Sequence, residues 1–211
     1  MLKTLVACVV LLGAIPTTAA AEWHFTPLIG LTFKGATNIP DIELAAGENH
    51  KNFGGAVSLL GGGIIGVEAV VLWTPGMFEN DDVAFDSGVP GGERPVDKSR
   101  AISFMGNIVL TTPRQLTEYS LRPYFSGGVG LMHATVIQNP AVALIDDVHH
   151  DAVGFNLGGG AIGFFSERTG VRFDFRYHST FRRSADLVAP NADSRYIRYM
   201  TVSVGVVFRR R

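Results

Sequence analysis

Val171-Arg172-Phe173-Asp174-Phe175-Arg176-Tyr177-His178 alternates apolar and polar residues without interruption. At the 3.6-residue period of a helix these side chains would spread around the whole circumference. At the two-residue period of a strand they divide into two faces. Val171, Phe173, Phe175 and Tyr177 take one face, and Arg172, Asp174, Arg176 and His178 take the other. Such a strand lies between two different media, and the fold has to supply both.

Seven further segments read the same way. Trp23 to Lys34 sets Trp23, Phe25, Ile29, Leu31 and Phe33 against His24, Thr26, Thr32 and Lys34. Phe53 to Leu60 and Ile64 to Trp73 flank Gly61-Gly62-Gly63, and the second places Val67, Ala69, Val71 and Trp73 opposite Glu68. Ala101 to Leu110 alternates Ile102, Phe104 and Ile108 with Ser103 and Asn107. Tyr119 to Ala134 sets Leu121, Phe125, Val129 and Leu131 against Arg122, Tyr124 and Ser126. Val153 to Phe165 sets Phe155 and Leu157 against Asn156 and several glycines. Tyr196 to Phe208 sets Met200, Val202, Val204, Val206 and Phe208 against Tyr199, Thr201 and Ser203. Eight strands of about 8 to 15 residues follow, close to what a tilted strand needs to cross a bilayer.

Composition narrows the medium. With 46% hydrophobic and 18% charged residues the chain cannot be intrinsically disordered. A net charge of -1 offers no basic stripe for nucleic acid. Mean hydropathy is positive, yet no apolar run reaches the roughly 18 residues of a membrane helix. The connections expected at 35–52, 75–99, 135–151 and 179–195 are long, and those at 61–63, 111–118 and 166–169 are shorter. All long connections then emerge at one end of an up-and-down meander, the asymmetry of outer-membrane barrels. The fold expected is an all-β, eight-stranded antiparallel transmembrane β-barrel.

The amino terminus reads as a signal peptide over residues 1–21. Lys3 precedes the apolar stretch Leu5 to Ile15, Pro16 breaks it, and Ala19-Ala20-Ala21 offers a cleavage site before Glu22. Leu5-Val6-Ala7-Cys8 resembles a lipoprotein box, but the apolar region lies mostly after Cys8. Residues 22–211 form the single barrel domain. They hold no cysteine, because the one Cys is Cys8, so the mature chain can use neither disulfides nor thiolate metal sites.

Alternation does not say whether the apolar face meets a core or lipid, and a secreted lipocalin-like barrel is the soluble alternative. Aromatic residues near strand ends favour lipid: Trp23, Phe33, Trp73, Tyr177, Tyr196 and Phe208 would form two interfacial girdles. The polar faces carry both signs, and an eight-stranded lumen is just wide enough for side chains to fill. A luminal network of Glu68, Arg122, Tyr124, Arg172, Asp174, Arg176 and Tyr199 is therefore expected to plug the barrel.

Leu121-Arg122-Pro123-Tyr124-Phe125-Ser126-Gly127-Gly128-Val129-Gly130-Leu131 resembles the central strand of the bacterial outer-membrane β-barrel domain family, the small barrels related to OmpA and OmpX. Phe155-Asn156-Leu157-Gly158-Gly159-Gly160, followed by Gly170 to Tyr177, is similar to its last hairpin. The resemblance covers Trp23 to Phe208. It implies a bacterial outer-membrane location, contact with outer-membrane lipids and lipopolysaccharide, and insertion of a monomer by the barrel assembly machinery. Members of this kind usually end on an aromatic residue that the machinery reads; here Arg209-Arg210-Arg211 follows Phe208.

Other motifs carry less. Gly61 to Gly66 and Gly158 to Gly163 match G-x-G-x-x-G, but both run into further strand where a dinucleotide site needs a helix. Asp146-Asp147-Val148-His149-His150-Asp151 collects metal donors, but adjacent histidines rarely aim at one ion. The acidic stretch Glu79 to Asp86 lacks EF-hand spacing. His178-Ser179 invites comparison with the lipid A deacylases, which place one residue between His and Ser and follow the Ser with Asn. Here the two are adjacent, face opposite sides of a strand and precede Thr180, so a luminal His178 bonded near Asp174 or Arg176 is expected. A non-enzymatic barrel without a cofactor is expected, presenting four long loops for a structural or surface-interaction role. The alternatives are a narrow channel for small solutes or ions, a lipid A-modifying enzyme, and a soluble lipocalin-like binder.

Overall fold

A computed structural model of the chain describes residues 22–37, 49–79, 96–113, 121–138, 148–181 and 196–210. The expected signal segment 1–21 and its cleavage site lie outside them. The described residues form β1 (Glu22–Thr37), β2 (His50–Leu60), β3 (Ile65–Pro75), β4 (Val96–Thr111), β5 (Arg122–Gln138), β6 (Val148–Phe164), β7 (Thr169–Thr180) and β8 (Ile197–Arg210). Each strand pairs antiparallel with its sequence neighbour, and β1 pairs with β8 to close the barrel. Closure pairs backbone donors and acceptors between strands all the way round, which a sheet edge in lipid could not do.

Alternation sets the two surfaces. Along β3 successive residues switch between exposed and buried from Ile65 to Thr74. Phe104, Ile108, Phe125, Val129, Leu131, Phe173, Val202 and Val204 stand outward and exposed. Trp23 and Phe33 bracket most of β1. At about 3.3 Å per residue and a tilt of about 40° the stretch between them spans about 25 Å, the height of the apolar band of an outer-membrane barrel. The outward residues of β1 from Trp23 to Phe33 are all uncharged.

The interior is less polar than alternation alone implied. Leu28, Ala56, Val70 and Leu72 form one buried apolar cluster. Leu60, Val109, Tyr124, Ile162 and Val207 form another near the short turns. A third, at the opposite mouth, holds Met77, Phe78, Met105, Met132, Val136, Ile197 and Tyr199 among others. The polar network expected in the lumen thus lies between apolar layers that alternation did not mark.

Strand ends also move. β4, β5 and β6 begin or finish well beyond their expected bounds, so the connection 139–147 is no longer than 112–121 at the other end. In place of a long loop at 135–151, β5 and β6 continue as a paired ladder up to Val136 and Val148. The connections 38–49, 76–95 and 181–196 remain the longer ones. Lys34 is a further correction: alternation put it inside, whereas the β1–β8 ladder shifts register between Phe33 and Ala36 and leaves Lys34 exposed.

Candidate functional site

Five polar side chains from three strands meet in the interior. Glu68 comes from β3, Tyr124 from β5, and Arg172, Asp174 and Arg176 from successive inward positions of β7. All five are buried. Arg172 donates through Nη2 to Asp174 Oδ2 at 2.5 Å and through Nη1 to Glu68 Oε2. Arg176 donates through Nη2 to Glu68 Oε1 at 2.6 Å and through Nε to Asp174 Oδ1 at 2.5 Å. Each guanidinium therefore spans both carboxylates, and the four charges sum to zero. An unpaired charge here would be costly to bury, and cyclic pairing with added hydrogen bonds is what makes the arrangement tolerable.

Neutral groups complete the ring. Tyr124 donates to Asp174 Oδ2 and accepts from Arg172 Nε at 2.8 Å, while the Arg172 guanidinium lies 4.7 Å from the Tyr124 ring centroid. Ser58 donates to Glu68 Oε2 at 2.9 Å and Asn107 to Glu68 Oε1 at 3.3 Å. Asn156 donates to Asn107 Oδ1 at 2.8 Å. A second polar layer joins Asn52 to Thr32 at 3.1 Å, Thr32 to Thr74 at 3.0 Å and Ser203 to Asn52 at 3.2 Å. Between them the two layers draw side chains from all eight strands.

Glycine makes these long reaches possible. In the ladder, Gly160 stands between Tyr124 and Asp174, so the Tyr124 hydroxyl passes over a position without a side chain. A Cβ there would lie 2.7 Å from Tyr124 Oη and 1.9 Å from the Phe173 carbonyl oxygen. Gly128 stands in the same relation to Asn107 and Asn156. Side chains two strands apart are roughly 10 Å apart at the backbone, and only an empty middle position lets them bond directly. The partners that meet across each glycine were the signal that the sequence reading missed.

Two residues expected in the network are not in it. Arg122 lies at the short-turn end and donates to the Thr112 carbonyl at 3.0 Å through Nη2. Tyr199 lies toward the opposite mouth, stacked on His178 with ring centroids 4.7 Å apart. His178 makes no bond to Asp174 or Arg176; Thr201 Oγ1, at 3.5 Å from Nε2, is its polar neighbour. Ser179 points the other way and donates to the Thr180 carbonyl at 3.3 Å. The pair therefore cannot act as a nucleophile and its base.

The mouth above the charges is stopped by residues that alternation could not assign. After Pro75 the chain folds back, and Met77 and Phe78 are both completely buried. Gly76 N–H donates to the Ser99 carbonyl at 2.8 Å, and Phe78 N–H to Ser99 Oγ at 3.0 Å. Glu79 Oε1 accepts from the Ser99 N–H at 2.8 Å; the rest of the expected acidic stretch, to Asp86, lies outside the described residues. Of the metal-like cluster, Asp146 and Asp147 also lie outside them, and Asp151 binds His133 Nδ1 at 2.5 Å. No group of three or more metal donors gathers among the described residues.

Aromatic residues gather at both ends of the outer wall. Trp23 stacks on Phe25 at 6.4 Å, with Phe208 opposite Phe25 in the ladder. Toward the other end Phe53 meets Trp73 at 6.1 Å, Phe33 meets Phe175 at 6.3 Å, and Phe155 meets Tyr177 and Phe181. Tyr196 lies just before β8, under the Arg198 guanidinium at 5.8 Å. Phe25, Phe53, Phe155 and Phe181 join the six girdle residues read from the sequence.

The fold is shared with solved outer-membrane proteins. Neisserial surface protein A matches with a TM-score of 0.54 at 11% identity, covering 89% of this chain and 96% of that one. The N-terminal β-barrel domain of Pseudomonas aeruginosa OprF matches at 0.52 and 12% identity, covering 89% and 97%. A major outer membrane protein of Thermus thermophilus matches at 0.53 and 12% identity, covering 90% and 100%. At such identities the likeness speaks for the fold alone. No curated protein matches the sequence. The sequence model of the family described as "Outer membrane protein beta-barrel domain" matches residues 5–209, and with its closed eight-stranded barrel the chain belongs to that family.

Proposed function

We propose that the chain is a non-enzymatic protein of the bacterial outer membrane whose closed barrel supports its outer connections in a structural or surface-interaction role. Cleavage near Ala21 would follow export, and the barrel assembly machinery would insert the chain as a monomer among outer-membrane lipids. The observation that carries the reading is the filled lumen: the Glu68, Arg172, Asp174 and Arg176 ring and the buried Met77-Phe78 stopper above it. The interior of an eight-stranded barrel is just wide enough for side chains to fill it.

Planar-bilayer recording tests this. The purified mature protein is expected to give no discrete conductance steps. Steps in the wild type that vanish on Arg172→Gln and Arg176→Gln would instead establish a narrow ion path through the ring.

A further inference from the structure

β1 departs from strict alternation at one place. Between Phe33 and Ala36 its ladder with β8 shifts register, and Lys34 takes a φ of 50°, a left-handed conformation that disfavours any residue with a Cβ. Two successive residues, Phe33 and Lys34, thereby lie on the outer side. Bulges that re-aim a side chain and strain held at a non-glycine residue mark functional positions. What the bulge achieves is to bring a cation out of the lumen.

That cation has neighbours of its own sign. Arg198 on β8 faces Ala36 across the ladder and is exposed. Lys51 on β2 faces Leu31 and is exposed as well. Three adjacent strands, β8, β1 and β2, thus present Arg198, Lys34 and Lys51 on the outer wall, beside the girdle residues Phe33 and Phe53. No described carboxylate pairs with any of them. Cations just above an aromatic girdle, at the end carrying the longer connections, sit where the phosphate groups of the outer leaflet lie.

We propose that Lys34, Lys51 and Arg198 form a docking site for the phosphates of an outer-leaflet phosphorylated glycolipid, lipopolysaccharide, whose acyl chains lie along Phe33 and Phe53. The site rests on the outer-membrane reading of the barrel. A phosphate recognised by several lysine and arginine donors gains charge-assisted bonds, and the acyl chains keep the ligand in the plane of the belt.

The test uses the mature protein folded in detergent micelles, first checked for heat-modifiable gel mobility, then titrated with bisphosphorylated lipid A and with its dephosphorylated form. Bound lipid is counted by native mass spectrometry. The wild type is expected to prefer the phosphorylated lipid. Lys34→Gly with Arg198→Gln is expected to weaken that binding about twenty-five-fold, about fivefold for each charge. Glycine accepts the φ of residue 34 without strain, so this variant keeps its fold, and Lys34→Arg is expected to retain binding. Arg168→Gln, exposed at the opposite end, serves as the unaffected control. Equal binding of both lipids by the wild type, or undiminished binding by the double variant, would overturn the site. A wild type without heat-modifiable mobility would overturn the barrel reading itself, and the site with it.

Discussion

Arg172→Met is expected to destabilise the folded barrel by about 3–5 kcal/mol, because it leaves Glu68 and Asp174 sharing one guanidinium in a dry interior. Arg172 is 2% exposed, donates to both carboxylates and also reaches Tyr124. Its removal strands acceptors that water cannot reach. Urea titration of the protein refolded into vesicles reads the loss as a lower midpoint. The cost belongs to breaking a ring rather than to losing polarity. Replacing Glu68, Arg172, Asp174 and Arg176 together by apolar residues of similar volume is therefore expected to cost far less than the single change, since buried ion pairs barely repay their desolvation. Equal or additive losses in the two variants would show that the four charges do not act as a unit.

Gly160→Ala is expected to be worse, and for a geometric reason. The new Cβ would stand 1.9 Å from the Phe173 carbonyl oxygen, a backbone atom of the neighbouring strand, and would also block the path from Tyr124 to Asp174. The carbonyl cannot yield without opening the β6–β7 ladder. A loss of about 4 kcal/mol or more places the change among the most damaging of single substitutions. The heat-modifiable band is expected to disappear. Gly106→Ala is the matched control: it lies outward on β4, and its nearest neighbour to a new Cβ is the Val129 carbonyl oxygen at 3.9 Å. There the change is expected to be neutral or slightly stabilising, by roughly 0.4–1 kcal/mol, through the unfolded chain.

How much of this was legible beforehand follows from where each residue sits. The lipid-facing half of every strand could be read, because lipid tolerates only apolar side chains and so imposes a strict period. The lumen imposes no such rule. Val70 and Leu72 on β3 point inward beside Glu68 and are as apolar as Val71 outside, so their burial was invisible to alternation. Above the girdle both faces meet polar surroundings. There the period lapses, which is why the paired extension of β5 and β6 through Thr135, Val136 and His149 read as loop. The fold-back of Met77 and Phe78 depends on Ser99 and Glu79 meeting across a separation of 20 residues in sequence, which no local pattern records. Within the network, charge identified Glu68, Arg172, Asp174 and Arg176. Arg122 and Tyr199 have the right chemistry and the right face, but they stand at the wrong height on their strands, and only register supplies that coordinate.

The central claim is that these strands turn an apolar face to lipid and a charged one to a dry interior. Residues 22–211 carry no cysteine, so in a chain beginning at Glu22 single substitutions along β7 and β8 can be labelled one at a time. Fluorescent thiol probes at Phe173→Cys, Phe175→Cys, Val202→Cys and Val204→Cys, in vesicles containing brominated lipid, are expected to be strongly quenched. The alternate positions Thr201→Cys and Ser203→Cys, buried in the filled lumen, are expected to resist labelling by membrane-permeant and aqueous thiol reagents alike. The two sets should alternate residue by residue. Quenching of the outward set by iodide, with no response to brominated lipid, would contradict a membrane-spanning barrel and return the chain to the soluble class.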